Sequence, residues 1–146
     1  MSQKAPLRLN IRLEGARLVF DLVNASKAAT SIVAHPRYLV LEALNAHRQF
    51  LRGEVSAIGL PAKADFIEVK AGATLEAAFG FDLSYERDTL TVGPWRFEAL
   101  TLPTELRVTY KSDPVVPNLP SKMKKGFLRG PLESGRLALA ASDLSA

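Results

Sequence analysis

Apolar and polar residues alternate with a period of two over most of the chain, and short turn-forming clusters bound each run. Leu7, Leu9, Ile11 and Leu13 alternate with Arg8, Asn10 and Arg12. This is the signature of a strand with one buried and one wet face. Glu14-Gly15 follows as a turn. Leu18, Phe20 and Leu22 then give a second strand in hairpin register. Asn24 to Thr30 is a polar loop. Pro36 interrupts the next apolar stretch, so Ile32–Ala34 and Tyr38–Leu44 read as separate pieces or as a bulged edge. Asn45-Ala46-His47 reads as a turn, and 49–58 as a short strand leading into a Gly59-Leu60-Pro61 loop.

The second half keeps the same rhythm. Phe66–Val69 is a strand closed by the turn at 70–73. Leu75, Ala77, Phe79, Phe81 and Leu83 then form the longest alternating run, and Gly80 within it points to a bulge or a close crossing. Ser84 to Asp88 reads as a polar turn or a short 3-10 segment. Leu90 and Val92 precede the turn Gly93-Pro94, and Trp95 and Phe97 follow it. Leu106, Val108 and Tyr110 mark another strand. Residues 112–131 differ from everything before them: Pro114, Pro117, Pro120 and Pro131 fall among lysines and small polar residues. This is a long loop, with room for a short strand near Gly126–Leu128. Arg136–Ala140 is a last strand, and 142–146 reads as a frayed tail. About seven to nine short strands, with no capped periodic helix between them, indicate an antiparallel β-sandwich of immunoglobulin-like form.

The composition narrows the chemistry. A length of 146 residues with 47% hydrophobic side chains supports one domain with a real core, spanning 1–146. There is no cysteine, which removes disulfides, thiolate catalysis and Cys-based metal sites. His35 and His47 are the only histidines and have no metal-ligand spacing. No Gly-x-Ser-x-Gly elbow, calcium loop or phosphate-binding loop occurs. Asp82, Glu86 and Asp88 read as a solvated turn. The expectation is a protein without enzymatic activity, cofactor or metal. No apolar run is long enough for a membrane helix or a signal sequence. As written, the sequence reads as cytoplasmic, or as periplasmic or secreted if a signal peptide has been removed.

The net charge of +4 is unevenly spread. Residues 1–73 carry 10 basic and 6 acidic side chains, 74–110 carry 3 and 6, and 111–136 carry 6 and 2. The 112–131 loop therefore stands out twice, by proline content and by charge. Its candidate contact residues are Val115, Val116, Pro117, Asn118 and Leu119, with the cations Lys122, Lys124, Lys125 and Arg129. Val115 to Pro120 is the best candidate for an extended segment projected towards a protein partner. Trp95 is either a core anchor or an exposed contact residue. A polyanion such as nucleic acid is the competing partner for the cations. One aromatic, Phe127, is a poor stacking platform, which weighs against it. A structural role in a homo-oligomer is the third alternative.

Three stretches carry a resemblance. Phe20 to Ser26, Asp65 to Leu75, and Leu106–Tyr110 followed by Gly130 to Ser134 resemble strand ends and hairpins of bacterial immunoglobulin-like domains. The resemblance is to the intracellular proteinase inhibitor type and to the domains preceding some secreted metalloendopeptidases. Two departures stand out: Leu102-Pro103-Thr104 occupies the place of a Pro-Gly turn, and the basic loop is longer. The resemblance implies the sandwich fold and a protein-binding role, with proteinase inhibition as a special case.

Overall fold

The computed structural model describes residues 7–56 and 59–144. It is all β, and every ladder between strands is antiparallel. The strands are β1 (Leu7–Leu13), β2 (Arg17–Asn24), β3 (Thr30–Val33), β4 (Leu39–Leu44), β5 (Phe50–Arg52), β6 (Glu54–Val55) and β7 (Phe66–Val69). They continue with β8 (Thr74–Glu86), β9 (Thr89–Val92), β10 (Trp95–Phe97), β11 (Thr104–Tyr110), β12 (Leu132–Glu133) and β13 (Leu137–Leu139). Among the described residues there are thus thirteen strands rather than seven to nine, and five of them have only two or three residues.

Six strands join in the order β1-β2-β8-β9-β10-β6. A second sheet runs β12-β11-β4-β5, with β13 also paired to β11, and β3 and β7 form a separate pair. One cluster of buried side chains draws on all three sheets: Phe20 and Leu90 from the first, Leu41 and Tyr110 from the second, Ile32 and Val69 from the third. The hairpin register follows the alternation. Leu9 faces Leu22 across β1 and β2, and Leu41 faces Val108 across β4 and β11. Pro36 opens a short 3-10 turn to Tyr38 that separates β3 from β4, as its place in the apolar stretch indicates.

Two expectations change. Strand β8 runs on to Glu86, and the turn shrinks to Arg87-Asp88, both in the left-handed region at φ 52° and 60°. The polar residues of 84–86 lie on a strand because Tyr85 pairs with Leu90 and reaches Leu100 O at 2.7 Å with its hydroxyl. At the other end of the chain, Ala141–Leu144 forms a 3-10 turn in place of a frayed tail. Ala140 N–H donates to Asp143 Oδ2 (2.8 Å), and Leu144 packs on the core. Residues 145 and 146 of that tail lie outside the described residues.

The bulge suggested by Gly80 sits a few residues earlier. Phe20 pairs with Phe79 and Leu22 with Leu75, so Glu76, Ala77 and Ala78 oppose Asp21 alone. Ala77 takes φ 48°, and its N–H donates to Asp21 Oδ1 at 2.7 Å. Arg12 Nε donates to the other carboxylate oxygen at 2.9 Å. One acidic side chain on β2 therefore fixes both the bulge on β8 and the outer face of β1. Two extra residues keep the parity of the strand, which leaves Leu75, Phe79 and Phe81 on the inner face. Phe79 and Phe81 are only half-buried; Phe79 stacks on Phe20 with centroids 4.3 Å apart.

Burial raises the Asp21 carboxyl, but the Ala77 N–H and the Arg12 guanidinium outweigh it and hold the group below its ordinary value. A lowered folded-state pKa contributes stability above the unfolded value, and that contribution disappears as pH falls through the folded one. Asp21→Asn keeps an acceptor for Ala77 but cannot titrate. Urea unfolding across an acid pH series is expected to show a shallower loss of stability in Asp21→Asn than in the wild type. Parallel curves would show that Asp21 carries none of the acid sensitivity.

Candidate functional site

The 112–131 loop leaves the buried end of β11 and returns at β12, and its two arms are tied together. Ser112 N–H donates to Arg129 O (2.9 Å), and Arg129 Nη2 donates to Pro114 O (3.0 Å). The return arm is fixed to β3. Ser31 N–H donates to Gly126 O and Leu128 N–H donates to Ser31 O, both at 2.8 Å. Ser31 and Phe127 thus form a parallel bridge, which realises the short strand expected near 126–128 as a single contact. Only glycine fits at 126, because a Cβ there would lie 2.6 Å from Ala29 O. The ring of Phe127 tilts against Phe66 at 6.3 Å. Below the loop, the buried Tyr110 hydroxyl donates to Leu128 O (2.7 Å) and accepts from Val33 N–H (3.3 Å).

The far end of the loop is also held down. Asn118 adopts φ 65° and its Nδ2 donates to Pro61 O at 2.8 Å. Ser121–Met123 forms a 3-10 turn, with Met123 N–H donating to Pro120 O. Val115 to Pro120 is therefore a tethered turn rather than a projecting extended segment. Val116 is turned inward and buried, whereas Val115 is 82% exposed. The asparagine in the left-handed region and its partner across the chain fold the segment back on the body.

Six of the residues singled out in the sequence come together. Val115, Val116, Asn118, Leu119, Lys124 and Arg129 line one groove of about 350 Å³ with Pro114. Pro117 lies in the same turn. Lys122 and Lys125 face a neighbouring recess of about 340 Å³ with Ala28, Ala29, Ser31, Glu68, Met123 and Gly126. Trp95 is a correction to its reading as a contact residue. It is 1% exposed, on β10, with its ring edge-on to Phe81 at 4.8 Å. Its apolar area is satisfied inside the core and contributes nothing to the loop.

Lys122, Lys124, Lys125 and Arg129 enter no ion pair among the described residues, whereas Arg12, Arg96, Arg107 and Arg136 each do. The loop's four cations are therefore unpaired among the described residues, and their positive charge dominates the loop, which carries one carboxylate, Asp113. Among the described residues, no group of three or more His, Asp or Glu side chains could hold a metal ion. His35 Nδ1 accepts from Arg37 N–H as a turn cap, and His47 sits in the Asn45 turn. No helix of the described chain is long and apolar enough to cross a membrane.

Sequence reasoning missed Pro61, and Ser31 of β3 and Glu68 of β7 that border the second recess. Their only signal is spatial: Pro61 and Asn118 are 57 positions apart. No protein-family profile matches the chain, and no curated protein matches it at a significant level of similarity.

Proposed function

We propose that this chain is a non-enzymatic protein-binding module of immunoglobulin-like sandwich form, with the 112–131 loop as its contact surface. The strand pairing supports the fold reading. Early β2 pairs with late β8 in one sheet, and β4 pairs with β11 in the other, so strands distant in sequence lie side by side in two antiparallel sheets, which suits a sandwich. The separate β3–β7 pair and the extension through β9, β10 and β6 are departures from the seven-strand plan.

One observation carries the binding role: Val115 is 82% exposed on a loop that is otherwise tied to Pro61, Ser31 and Pro114. An aliphatic side chain held in water by a rigid frame is preorganised for a partner, because little loop entropy remains to be lost on docking. The tethered turn favours a surface that receives a segment over an extended loop inserted into a protease cleft. Affinity capture from native lysate tests the role. A specific protein is expected on wild-type bait, with recovery reduced by about tenfold on a Val115→Asp/Lys124→Glu bait of unchanged thermal stability. Equal recovery on both baits would remove the loop as the contact surface.

A further inference from the structure

Resting on the reading of the loop as a binding surface, we infer that the groove beside Val115 receives an extended acidic segment of the partner protein. That segment carries an aliphatic side chain flanked by carboxylates. The apolar half of the groove is Val115, Val116 and Leu119, and the charged half is Lys124 and Arg129. A space of about 350 Å³ suits one or two side chains of a peptide rather than a broad protein face. Between 111 and 131 there are five basic residues and one acidic residue, Asp113. Lys122 and Lys125, beside the second recess, continue the positive field beyond the groove, with Glu68 as the one carboxylate lining that recess.

Arg129 is the oriented element. Its Nη2 is bound to Pro114 O at 3.0 Å, and its guanidinium carbon lies 6.0 Å from the Phe127 ring centroid. A guanidinium fixed on one side keeps its remaining N–H groups for a carboxylate, and the fork geometry suits two oxygens at once. A lysine without an ion pair among the described residues stands across the same groove. The arrangement does not suit single-stranded nucleic acid. The groove lining contains no aromatic side chain, and Phe127 is half-buried against Phe66, so no ring is free to stack on a base.

The probe is a random peptide library displayed on phage, panned on the wild-type protein and counter-panned on Lys124→Glu/Arg129→Glu. The strongest peptide is then made with a fluorescein label and its affinity read by anisotropy. Enriched peptides are expected to share an aliphatic residue between Asp or Glu residues. Affinity is expected to fall about tenfold in Lys124→Glu/Arg129→Glu through lost charge complementarity. It is expected to fall about fivefold in Val115→Ser through lost apolar burial. Methyl signals of Val115 and Leu119 should shift when the peptide is added. Enrichment of basic or uncharged peptides that still shift those methyls would overturn the acidic partner while keeping the loop as a binding surface. An unchanged affinity in Val115→Ser, with inorganic polyphosphate competing fully, would reduce the groove to a plain anion patch and overturn the proposal. Self-association of the wild type that Lys124→Glu/Arg129→Glu abolishes, without peptide enrichment, would assign the groove to a second copy of this chain. No enrichment and no self-association would overturn both readings.

Discussion

Trp95→Ala is expected to cost about 4 kcal/mol of folding stability, the range for emptying a buried tryptophan site. The side chain is 1% exposed and is the largest among the fully buried ones. It sits edge-on to Phe81, pairs across β10 with Val92 and Val55, and backs on Gly53, where an added Cβ would lie 3.0 Å from the Trp95 Cβ. The short strands β6 and β10 have few ladder bonds of their own, so packing on Trp95 is what keeps them in the sheet. The indole N–H is buried and has no hydrogen-bond partner in the described structure. Trp95→Phe removes that unpaired donor together with part of the ring, so its cost should be less than half that of Trp95→Ala. The chain has one tryptophan, so unfolding of both variants is followed by circular dichroism rather than fluorescence. A loss below about 1 kcal/mol for Trp95→Ala would place the residue outside the close-packed core.

The strands that alternation identifies are those long enough for the period to be read. β1, β2, β8 and β11 each span seven residues or more; β2 and β11 show a fully buried face and β1 one at Leu7 and Leu9, whereas on β8 only Leu83 is fully buried and Ala77 is turned out by the bulge. The two-residue strands β6 and β12 carry no readable period, whereas Leu137 and Leu139 mark β13 within 136–140. β6 and β12 exist because a longer neighbour, β10 or β11, offers an edge. The turn within 84–88 is legible, but its two-residue extent is not. Arg87 and Asp88 take left-handed backbone without glycine or asparagine, so the chemistry that usually announces a two-residue hairpin is absent.

The candidate site was legible in outline and not in shape. Four prolines and five cations between 111 and 131 mark a loop with a positive field, because proline breaks ladders and lysines avoid burial. The groove itself comes from Asn118 reaching Pro61 and from Ser31 gripping Gly126 and Leu128. Those partners are distant in sequence and use backbone atoms, which have no residue signature. The inward turn of Val116 and the outward turn of Val115 follow from the same tethers. Two adjacent valines therefore acquire opposite roles that their identity does not distinguish.

Tyr110→Phe is expected to cost about 2 kcal/mol at neutral pH, because it leaves one buried and one half-buried backbone group without their partner. The hydroxyl donates to Leu128 O and accepts from Val33 N–H, so it joins the loop's return arm to β3 beneath the site. Burial pushes the phenol up to about 12, with the Val33 N–H pulling weakly the other way. A raised folded-state pKa means that this contribution is complete below the unfolded value, about 10. It is lost as pH rises through the folded value near 12. Tyr38 and Tyr85 are raised as well, but both remain in the variant, so the difference between the two proteins isolates Tyr110. The stability gap measured by urea unfolding should be largest near pH 8 and shrink as pH approaches 12. A gap that stays constant would mean that the phenol titrates alike in the folded and unfolded chains. The same variant should be cut faster by trypsin at Lys124, Lys125 and Arg129, since the arm that carries them loses its inner anchor. Unchanged cleavage together with lowered global stability would show that the bonds to Ser31, Ser112 and Pro114 hold the arm without the hydroxyl. Val115 would then keep its presentation without Tyr110. Faster cleavage makes the Tyr110 hydroxyl a part of what holds the return arm, beside the bonds to Ser31, Ser112 and Pro114.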